Sequence, residues 1–453
     1  MPSTRFRAAA RPADNVAAPA SGAAGLPGLR WPVAAQTLAW FARPDRLLTH
    51  CRARYGDLFA LDLAHVGRWV MLADPGDVRE VFAGEQSRFH AGRANGVLRP
   101  VVGAQSILVL DDIPHLSRRR LLASALADRV DRCEGRVREI ADREVASWPT
   151  GVPLPLLPRL RAIALEVIVE VVLGGARGPE AMQLRRSVRE LLGWVTGTRA
   201  LATLLLAGPR LTLTRTALGG LLGRVEDAID REISRARSDP GLRERGDLLA
   251  TLALARYEDG TPLSDDDLRD QLITMLIAGH ESTATSLAWA AASLAGAPGP
   301  LERLREELGA GRSSYLDAVC REALRLRPPL PIAGRLLRRP LHLSGWEIPA
   351  GSWVAPCIYL VHRRPEVYPE PDRFLPERFL DRSPPPYSWI PFGGGSRRCI
   401  GAAFALAEMR AVLSAILART VLRPARRRPE GTRRRALILA PSHGASVVLT
   451  DAP

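Results

Sequence analysis

The sequence predicts a mainly helical protein with a smaller β portion. Long helical patterns extend from about residue 114 to about residue 327, with apolar residues recurring at the spacing of a helix face. After Pro328 the sequence changes to proline, glycine and short β-prone runs, and a last helix is predicted over residues 402–419. The hydrophobic fraction of 46% and the charged fraction of 25% are those of an ordinary globular protein, so a large core is available.

Shorter elements precede and follow the helical body. The strands are indicated by apolar, β-prone segments that end at turn residues such as His65 and Gly67. The predicted elements are, in order, a helix over 47–55, a hairpin of 58–63 with 69–72, strands over 341–343 and 354–358, and a hairpin of 437–439 with 446–449.

The predicted organisation is one domain over residues 25–453, preceded by a disordered leader over residues 1–24. The leader is rich in alanine, proline and arginine, and it lacks the apolar stretch of a signal peptide. Nowhere do about 18 apolar residues follow one another without charges or helix breakers, so we expect no membrane span. These features favour a cytoplasmic protein, and we expect a monomer.

The net charge is +15 at pH 7, and all 63 basic residues are arginine. The densest basic stretch joins residues 426–428 to residues 433–435, and a solvated loop is the favoured interpretation. A basic surface can also steer an acidic protein partner. A basic nucleic-acid-binding protein is the alternative from a different class, although the sequence carries no zinc-finger, RRM or KH pattern.

The strongest signal is the segment Phe392-Gly-Gly-Gly-Ser-Arg-Arg-Cys399-Ile-Gly401, directly before the last predicted helix. Its glycines allow tight turns and a close approach of the backbone to a flat ligand. A cysteine just before a helix has its thiolate favoured by unpaired N–H groups, and a bound metal lowers its pKa further. Arg397 can grip a carboxylate of the same ligand. The five cysteines are scattered and form no CxxC pair, so neither a disulfide framework nor a structural zinc site is expected.

A second unusual segment lies in the longest predicted helix, from Ser264 to about Ala295, which opens with a capping box of Ser264 and Asp267. Its middle reads Ala278-Gly-His-Glu-Ser-Thr283 between apolar runs. Unpaired polar groups in a buried helix cost about 1 to 3 kcal/mol each. Glycine and hydroxyl side chains can also loosen or kink the helix, which opens room for a ligand or water.

Paired charges occur on other predicted helices. Glu322 and Arg325 lie three residues apart, so they share one helix face, and the segment Pro376-Glu-Arg-Phe379 follows them. His115 and Arg119 lie four residues apart and would also share a face. Each pattern alone is weak evidence, because most such pairs are ordinary surface charges.

Together these segments resemble the cytochrome P450 family over nearly the whole chain, from about Gly25 onward. Five fixed positions of the family's cysteine loop are present: Phe392, Gly395, Arg397, Cys399 and Gly401. The resemblance implies the cytochrome P450 fold, with haem b held between a distal helix and the cysteine loop. It also implies that Cys399 is the proximal iron ligand, whose thiolate pushes electron density onto the iron and favours O–O cleavage.

The middle of the long helix resembles the family's distal-helix motif, Ala/Gly-Gly-x-Asp/Glu-Thr-Thr/Ser. The resemblance implies that Ala278 and Gly279 line the oxygen pocket. It further implies that Glu281 belongs to the proton-supply route and that Ser282 hydrogen-bonds the bound dioxygen. Serine stands where the family usually has threonine, and it lacks the methyl group that restricts the rotamer. We therefore expect working but less tightly coupled oxygen activation, with Thr283 or water able to assist.

The resemblance also assigns the paired charges. It implies that Glu322, Arg325 and Arg378 form a buried network behind the cysteine loop, where loss of one partner would strand a buried charge. The side chains implied around the two haem carboxylates are His115, Arg119, Arg335 and Arg397.

The reaction implied is monooxygenation: one atom of dioxygen enters an organic substrate, and the other leaves as water. No flavin or iron–sulfur pattern is present, so a separate ferredoxin or similar protein is expected to deliver electrons, indirectly from NAD(P)H. The apolar content favours a small lipophilic substrate. The expected pocket segments are 89–110, 192–213, the helix face near Ile277, 330–333 and 441–444. Within the same fold, peroxide use or a haem-dependent rearrangement is the alternative, which the presence of Glu281 and Ser282 disfavours.

Overall fold

The computed structural model describes residues 25–127, 129–174, 178–195, 197, 218–380 and 383–451. The predicted leader and most of the predicted pocket segment 192–213 lie outside these residues. The described chain is mainly helical, and its smaller β portion combines segments from both ends of the sequence. The predicted fold class is therefore confirmed.

The helices begin and end as follows. They are α1 (Val33–Ala42), α2 (Pro44–Tyr55), α3 (Pro75–Ala83), α4 (Ala91–Ala94), α5 (Arg99–Val102), α6 (Asp112–Ala127), α7 (Arg129–Val145), α8 (Leu156–Leu173), α9 (Pro179–Val195), α10 (Leu218–Ser238), α11 (Leu248–Leu254), α12 (Asp265–Ala295), α13 (Pro298–Gly309), α14 (Ser314–Leu326), α15 (Ile358–Val361) and α16 (Ala402–Arg419). Single turns of 3-10 helix lie at Gln86–Arg88, Gly96–Leu98, Pro376–Phe379 and Gly395–Arg397. No helix of the described residues is long and apolar enough to span a bilayer.

The strands form two sheets and two separate hairpins. They are β1 (Leu58–Leu63), β2 (Gly67–Leu72), β3 (Phe89–His90), β4 (Pro153–Pro155), β5 (Arg335–Leu337), β6 (Leu341–Leu343), β7 (Trp346–Ile348), β8 (Trp353–Pro356), β9 (Thr420–Pro424), β10 (Thr432–Arg435), β11 (Ile438–Pro441) and β12 (Ser446–Asp451). One sheet has the order β1-β2-β8-β5-β3, in which only β2 and β8 pair in parallel. The other has the order β4-β12-β9, and the hairpins are β6-β7 and β10-β11.

Helix α12 forms the centre of the helical body. Its capping box is present as predicted: Ser264 Oγ accepts from the Asp267 amide at 3.1 Å, and the Asp267 carboxylate accepts from the Ser264 amide at 3.3 Å. Most of the helix is buried, because α8, α14 and α16 pack around it. A helix covered on several sides has no need of a single apolar stripe, which explains why its sequence is apolar nearly all round.

The C-terminal strands pair differently from the prediction. The predicted hairpin of 437–439 with 446–449 is wrong, because β11 pairs with β10, and β12 lies between β4 and β9. The predicted strand 354–358 is also too long. Strand β8 ends at Pro356, and the chain continues into the short helix α15.

The missed strand β10 is part of the arginine-rich stretch that was expected to be a solvated loop. Its Arg434 guanidinium carbon lies 4.9 Å from the ring centroid of Trp40 and 4.6 Å from that of Phe41. The guanidinium group lies against these rings, so an arginine-rich segment can pack as a strand. The predicted loop is therefore wrong for 433–435, which belong to strand β10, although Arg433 and residues 426–428 are exposed as expected.

Candidate active site

The cysteine loop is closed by its own backbone before α16 begins. The Cys399 amide donates to the Phe392 carbonyl at 2.9 Å, and the Arg398 amide donates to the Gly395 carbonyl at 3.0 Å. The backbone N–H of Gly401 hydrogen-bonds the Cys399 thiol. The loop therefore holds the sulfur in place through local main-chain contacts.

The loop glycines are required by close packing against α3. Gly395 has φ +64°, and a Cβ atom there would lie 1.7 Å from the Phe82 carbonyl oxygen. A Cβ on Gly394 would lie 2.4 Å from the Phe82 ring. By contrast, a Cβ on Gly401 would meet no protein atom within 4 Å. At Gly395 the loop therefore approaches the backbone of α3. At Gly401 there is open space beside the backbone.

The Cys399 side chain is accessible to solvent, although many protein atoms lie around it. Burial among these atoms raises the pKa of its thiol, and the Gly401 amide and Arg119 only partly oppose that effect. A side chain that is accessible while many protein atoms surround it lies in a recess, here called the cavity. The amide at the helix start favours the thiolate, as the sequence predicted, but burial outweighs it. A bound metal cation would lower the pKa of the thiol further.

On the distal side, α12 presents a short accessible stretch. Ala278 is exposed and Ser282, one turn later, is half-buried, although the helix around them is buried. The Ser282 hydroxyl donates to the Ala278 carbonyl at 3.0 Å, and the Ser286 hydroxyl donates to the Ser282 carbonyl at 2.9 Å. The helix is α-helical throughout. The hydroxyl groups therefore bond back to their own helix, which keeps its α-helical backbone through this segment.

At Gly279, the position that a side chain would occupy faces helix α8. A Cβ atom at this position would lie 2.7 Å from Cδ1 of Ile168 on α8. The glycine lets α8 and α12 approach closely, and its missing side chain faces that helix contact. The backbone of Gly279 is half-buried and its neighbour Ala278 is accessible, and the assignment of both to the oxygen pocket stays a prediction.

Glu281 is buried in an ion cluster behind the distal helix. It pairs with Arg161 of α8, and its Oε1 lies 3.7 Å from Nε of Arg435. The neighbouring His280 is also buried, and burial followed by the charge of Arg161 lowers its pKa to about 4. Thr283 is buried as well. Of residues 280–283, only Ser282 is accessible, so the structure separates the hydroxyl from the carboxylate.

The four side chains implied around the haem carboxylates lie together. His115 is buried, and its pKa falls to about 3 because of burial and then the charges of Arg397, Arg119 and Arg335. Burial also lowers the pKa of Arg335 and of Arg397 to about 10. Arg119 lies close enough to Cys399 for their charges to interact.

This cluster has more positive than negative charge. Asp111 Oδ1 lies 2.6 Å from Arg397, whereas Arg119 and Arg335 form no ion pair with a carboxylate among the described residues. Arg335 is buried and Arg119 is half-buried, and a guanidinium group withdrawn from water without a carboxylate partner is costly. Two such groups beside an accessible thiol fit a ligand that brings both a metal and carboxylates, which is the chemistry of haem.

Sequence reasoning missed Asp111 and Gln86. Asp111 accepts from Arg397 and from the Gly92 and Arg93 amides at 2.8 and 3.0 Å, and the Leu110 carbonyl also accepts from Arg397. Arg397 is therefore partly occupied by the protein itself. Gln86 Nε2 lies 3.0 Å from His115 Nδ1. Nδ1 accepts from this amide, so the neutral imidazole carries its proton on Nε2. The acidic pair Asp111-Asp112 at the start of α6 was the available signal for Asp111.

The scaffold charges meet as the sequence implied. Glu322 and Arg325 are fully buried, and their two hydrogen bonds measure 2.6 and 2.8 Å. Arg378 Nε lies 3.5 Å from Glu322 Oε1. Arg325 also donates to the carbonyls of His362, Pro371 and Arg373. The pair thereby connects α14 to the chain that leads toward the cysteine loop.

Comparison with known proteins gives a consistent result. The family model described as Cytochrome P450 matches residues 27–448. Cytochrome P450 135B1 of Mycobacterium tuberculosis is 39% identical over 434 residues, which cover 93% of this chain and 90% of that protein. Cytochrome P450 138 of Mycobacterium bovis is 36% identical over 441 residues, which cover 96% of this chain and 98% of that protein.

Solved structures share the fold. A cyanobacterial protein, CYP120A1 bound to retinoic acid, gives a TM-score of 0.80 at 25% identity, covering 94% of this chain and 99% of its own. The haem domain of cytochrome P450DA gives a TM-score of 0.78 at 22% identity, covering 94% of this chain and 98% of its own, and supports the fold alone. With the accessible Cys399 and the unpaired guanidinium groups beside it, these matches establish that the chain belongs to the cytochrome P450 family of haem-thiolate monooxygenases.

Proposed function

We propose that this protein inserts one oxygen atom from dioxygen into a lipophilic organic substrate, by hydroxylation or epoxidation. The observation that carries the proposal is the accessibility of two groups that the family's motifs contain. One is the Cys399 sulfur of the signature loop, and the other is the Ser282 hydroxyl of the distal helix. When bound, the haem supplies an iron centre that binds dioxygen and receives electrons.

Residues of the proximal side would hold the haem. Cys399 would ligate the iron, and the bound cation would overcome the burial that raises the pKa of the free thiol. Arg119 and Arg335, which have no carboxylate partner among the described residues, would pair with the haem carboxylates. Arg397 would contribute alongside Asp111, and His115 would donate from Nε2 as a neutral imidazole.

On the distal side, Ser282 would hold or pass a proton. Its hydroxyl rests on the Ala278 carbonyl, and rotation about one bond would turn it toward the cavity. A serine has more rotamer freedom than a threonine, which lowers the fraction of time in the productive orientation. Glu281 is held by Arg161 and Arg435, so these contacts would have to loosen before its carboxylate delivers a proton.

Electrons would come from a ferredoxin or similar protein that docks near Cys399. Arg398 is exposed directly beside the ligand residue and forms no ion pair among the described residues. An exposed cation at this place favours an acidic partner surface. Reduction by ferredoxin is therefore expected to slow as salt is raised, and a salt-independent rate would remove this partner assignment.

A lipophilic substrate is supported by the accessible apolar residues of the expected pocket segments. Val97, Ile277 and Leu330 are partly or largely exposed, and one relative of the same fold is described as bound to retinoic acid, a lipophilic acid. His443 lies in segment 441–444, but it is exposed and bonds to Glu430, which fits a loop residue.

Labelled dioxygen tests this proposal directly. Lipophilic compounds are first screened for displacement of water from the ferric iron, and a compound that binds is then incubated with holoenzyme, ferredoxin, its reductase and NAD(P)H. We expect one labelled oxygen atom in the product. Control reactions that are treated with catalase to remove peroxide and that lack dioxygen should give no labelled product. Product formed without label, at full rate with peroxide alone, would contradict the proposal and favour peroxide use. Purified protein without a chromophore but with salt-sensitive DNA binding would instead favour nucleic-acid binding.

A further inference from the structure

We propose that His362 is a positioning residue that connects the Glu322–Arg325 pair to the chain entering the cysteine loop. This inference rests on the proposed role of Cys399 as iron ligand. His362 directly follows α15, far in sequence from both the pair and the loop, and it is fully buried.

Both ring nitrogens of His362 are used in defined roles. The Ile390 amide donates to Nε2 at 2.8 Å, so Nε2 is the acceptor. The Arg325 carbonyl lies 3.2 Å from Nδ1, so Nδ1 carries the proton and donates. Burial, followed by the charges of Arg325 and Arg363, lowers the pKa of the ring well below its usual value. The neutral ring is the form that can make both bonds, because a protonated ring has no acceptor.

His362 is joined to Arg325 twice. Besides the ring contact, its own carbonyl accepts from the Arg325 guanidinium at 2.8 Å. The same guanidinium is held by Glu322. The position of the ring is therefore fixed by the buried ion pair, and the ring in turn fixes the Ile390 amide.

Only a short stretch separates Ile390 from the sulfur. The Gly393 amide donates to the Ile390 carbonyl at 2.9 Å, and the Cys399 amide donates to the Phe392 carbonyl at 2.9 Å. A displacement of Ile390 would therefore also displace the Cys399 loop, because a short hydrogen-bonded turn joins them. This continuity is what makes His362 a positioning residue rather than general core.

Two neighbours of Ile390 are each held by a single hydrogen bond from or to a distant part of the chain. The Tyr368 hydroxyl donates to the Ser388 carbonyl at 3.0 Å, and Trp389 Nε1 donates to the Arg321 carbonyl at 3.3 Å. Each of these bonds can be lost without leaving a buried main-chain N–H unpaired. Tyr368→Phe is therefore a matched control, because it removes one bond to the same segment and keeps the ring beside Arg325.

The test compares full-length variants His362→Gln, His362→Asn and His362→Leu with Tyr368→Phe. A glutamine can place its oxygen near the Nε2 position and accept from Ile390, whereas an asparagine reaches only the Nδ1 position. The readouts are the fraction of the ferrous–carbon monoxide band that shows thiolate ligation and the reduction potential of the haem. We expect that fraction to fall about tenfold in the Leu and Asn variants, because a buried amide loses its acceptor. The Gln variant should recover most of it, and Tyr368→Phe should equal the parent.

Rescue by glutamine but not asparagine would support the proposal, whether it appears in the spectrum or in the yield of folded protein. Equal loss in both variants would make His362 a general core residue and overturn it. So would parent-like spectra in every His362 variant, or the same loss in Tyr368→Phe. Cys399→Ala is measured alongside. If that variant keeps the thiolate band, the proposed function is wrong. If Cys399→Ala loses the band and the His362 variants behave like the parent, only the inference about His362 is wrong.

Discussion

The proximal and distal walls of the site are built in different ways. Behind the cysteine loop, Glu322 and Arg325 are fully buried, and their contacts join segments far apart in the chain. On the distal wall, Ser282 bonds to the carbonyl one turn back in its own helix. Long-range contacts fix the proximal wall, and local contacts leave the distal hydroxyl free to rotate. Changes on the proximal side should therefore destroy the site, whereas changes at Ser282 should alter only how it reacts.

The largest effect is expected for Glu322→Ala. The substitution leaves Arg325 and Arg378 without their carboxylate partner at a buried position, which costs on the order of 3 to 5 kcal/mol of folding free energy. We expect almost no haem in the purified protein, measured as the ratio of haem absorbance to protein. The exposed Glu302 on α13 provides the control Glu302→Ala, which should keep full haem content. Full haem content in Glu322→Ala would show that the proximal wall does not depend on the buried pair.

Gly395→Ala tests the packing of the cysteine loop. The new Cβ would lie 1.7 Å from the Phe82 carbonyl oxygen, so the loop must move. We expect most of the thiolate-type carbon monoxide band to be lost. Gly393→Ala separates collision from backbone strain, because Gly393 has φ +68° and no atom within 4 Å of its Cβ position. That variant should lose only about 1 kcal/mol of stability and keep the band. Equal behaviour of the two variants would count against a packing role for Gly395.

Glu408 is the exception on the proximal side, because it is buried in α16 and forms no ion pair with any residue that the structure describes. Burial raises its pKa from 4.5 to about 8, and its Oε1 has no hydrogen-bond partner among the described residues. The folded state prefers the protonated acid, so stability is full below the unfolded pKa and is lost as pH rises toward about 8. The slope is at most about 1.4 kcal/mol per pH unit.

Glu408→Gln should flatten that dependence. Denaturant unfolding at several pH values between the two pKa values measures it, with the parent losing stability as pH rises and the variant changing less. An identical slope in parent and variant would mean that another group is responsible.

The smallest effect is expected at Ser282. Ser282→Ala should keep haem binding and folding, and lower the product formed per dioxygen consumed by a few-fold. Ser282→Thr should raise that ratio, because the added methyl group restricts the rotamer. Ser286→Ala removes a similar back-bond at a buried position and should leave the ratio unchanged. Undiminished rate and coupling in Ser282→Ala would contradict the assignment of its hydroxyl.

The parts of the molecule that were predictable are those coded by neighbouring residues. The capping box at Ser264, the helix after Cys399 and the first hairpin all follow from spacing over a few positions. The contact of Gly279 with Ile168 and the ion pair of Glu281 with Arg161 join residues more than 100 positions apart, so no local pattern shows them. Strand β10 was missed because arginine counts as a polar residue in a sequence pattern. In the structure, the Arg434 guanidinium packs against aromatic rings.

The central claim is that the Cys399 sulfur holds the haem iron. Its most direct measurement is the absorption spectrum of the ferrous–carbon monoxide complex in the parent and in Cys399→Ala, each purified and supplied with haem. The parent should show the strongly red-shifted band of a thiolate ligand, and the variant should lose it. An unchanged band in Cys399→Ala would contradict the claim, whatever haem content the variant retains.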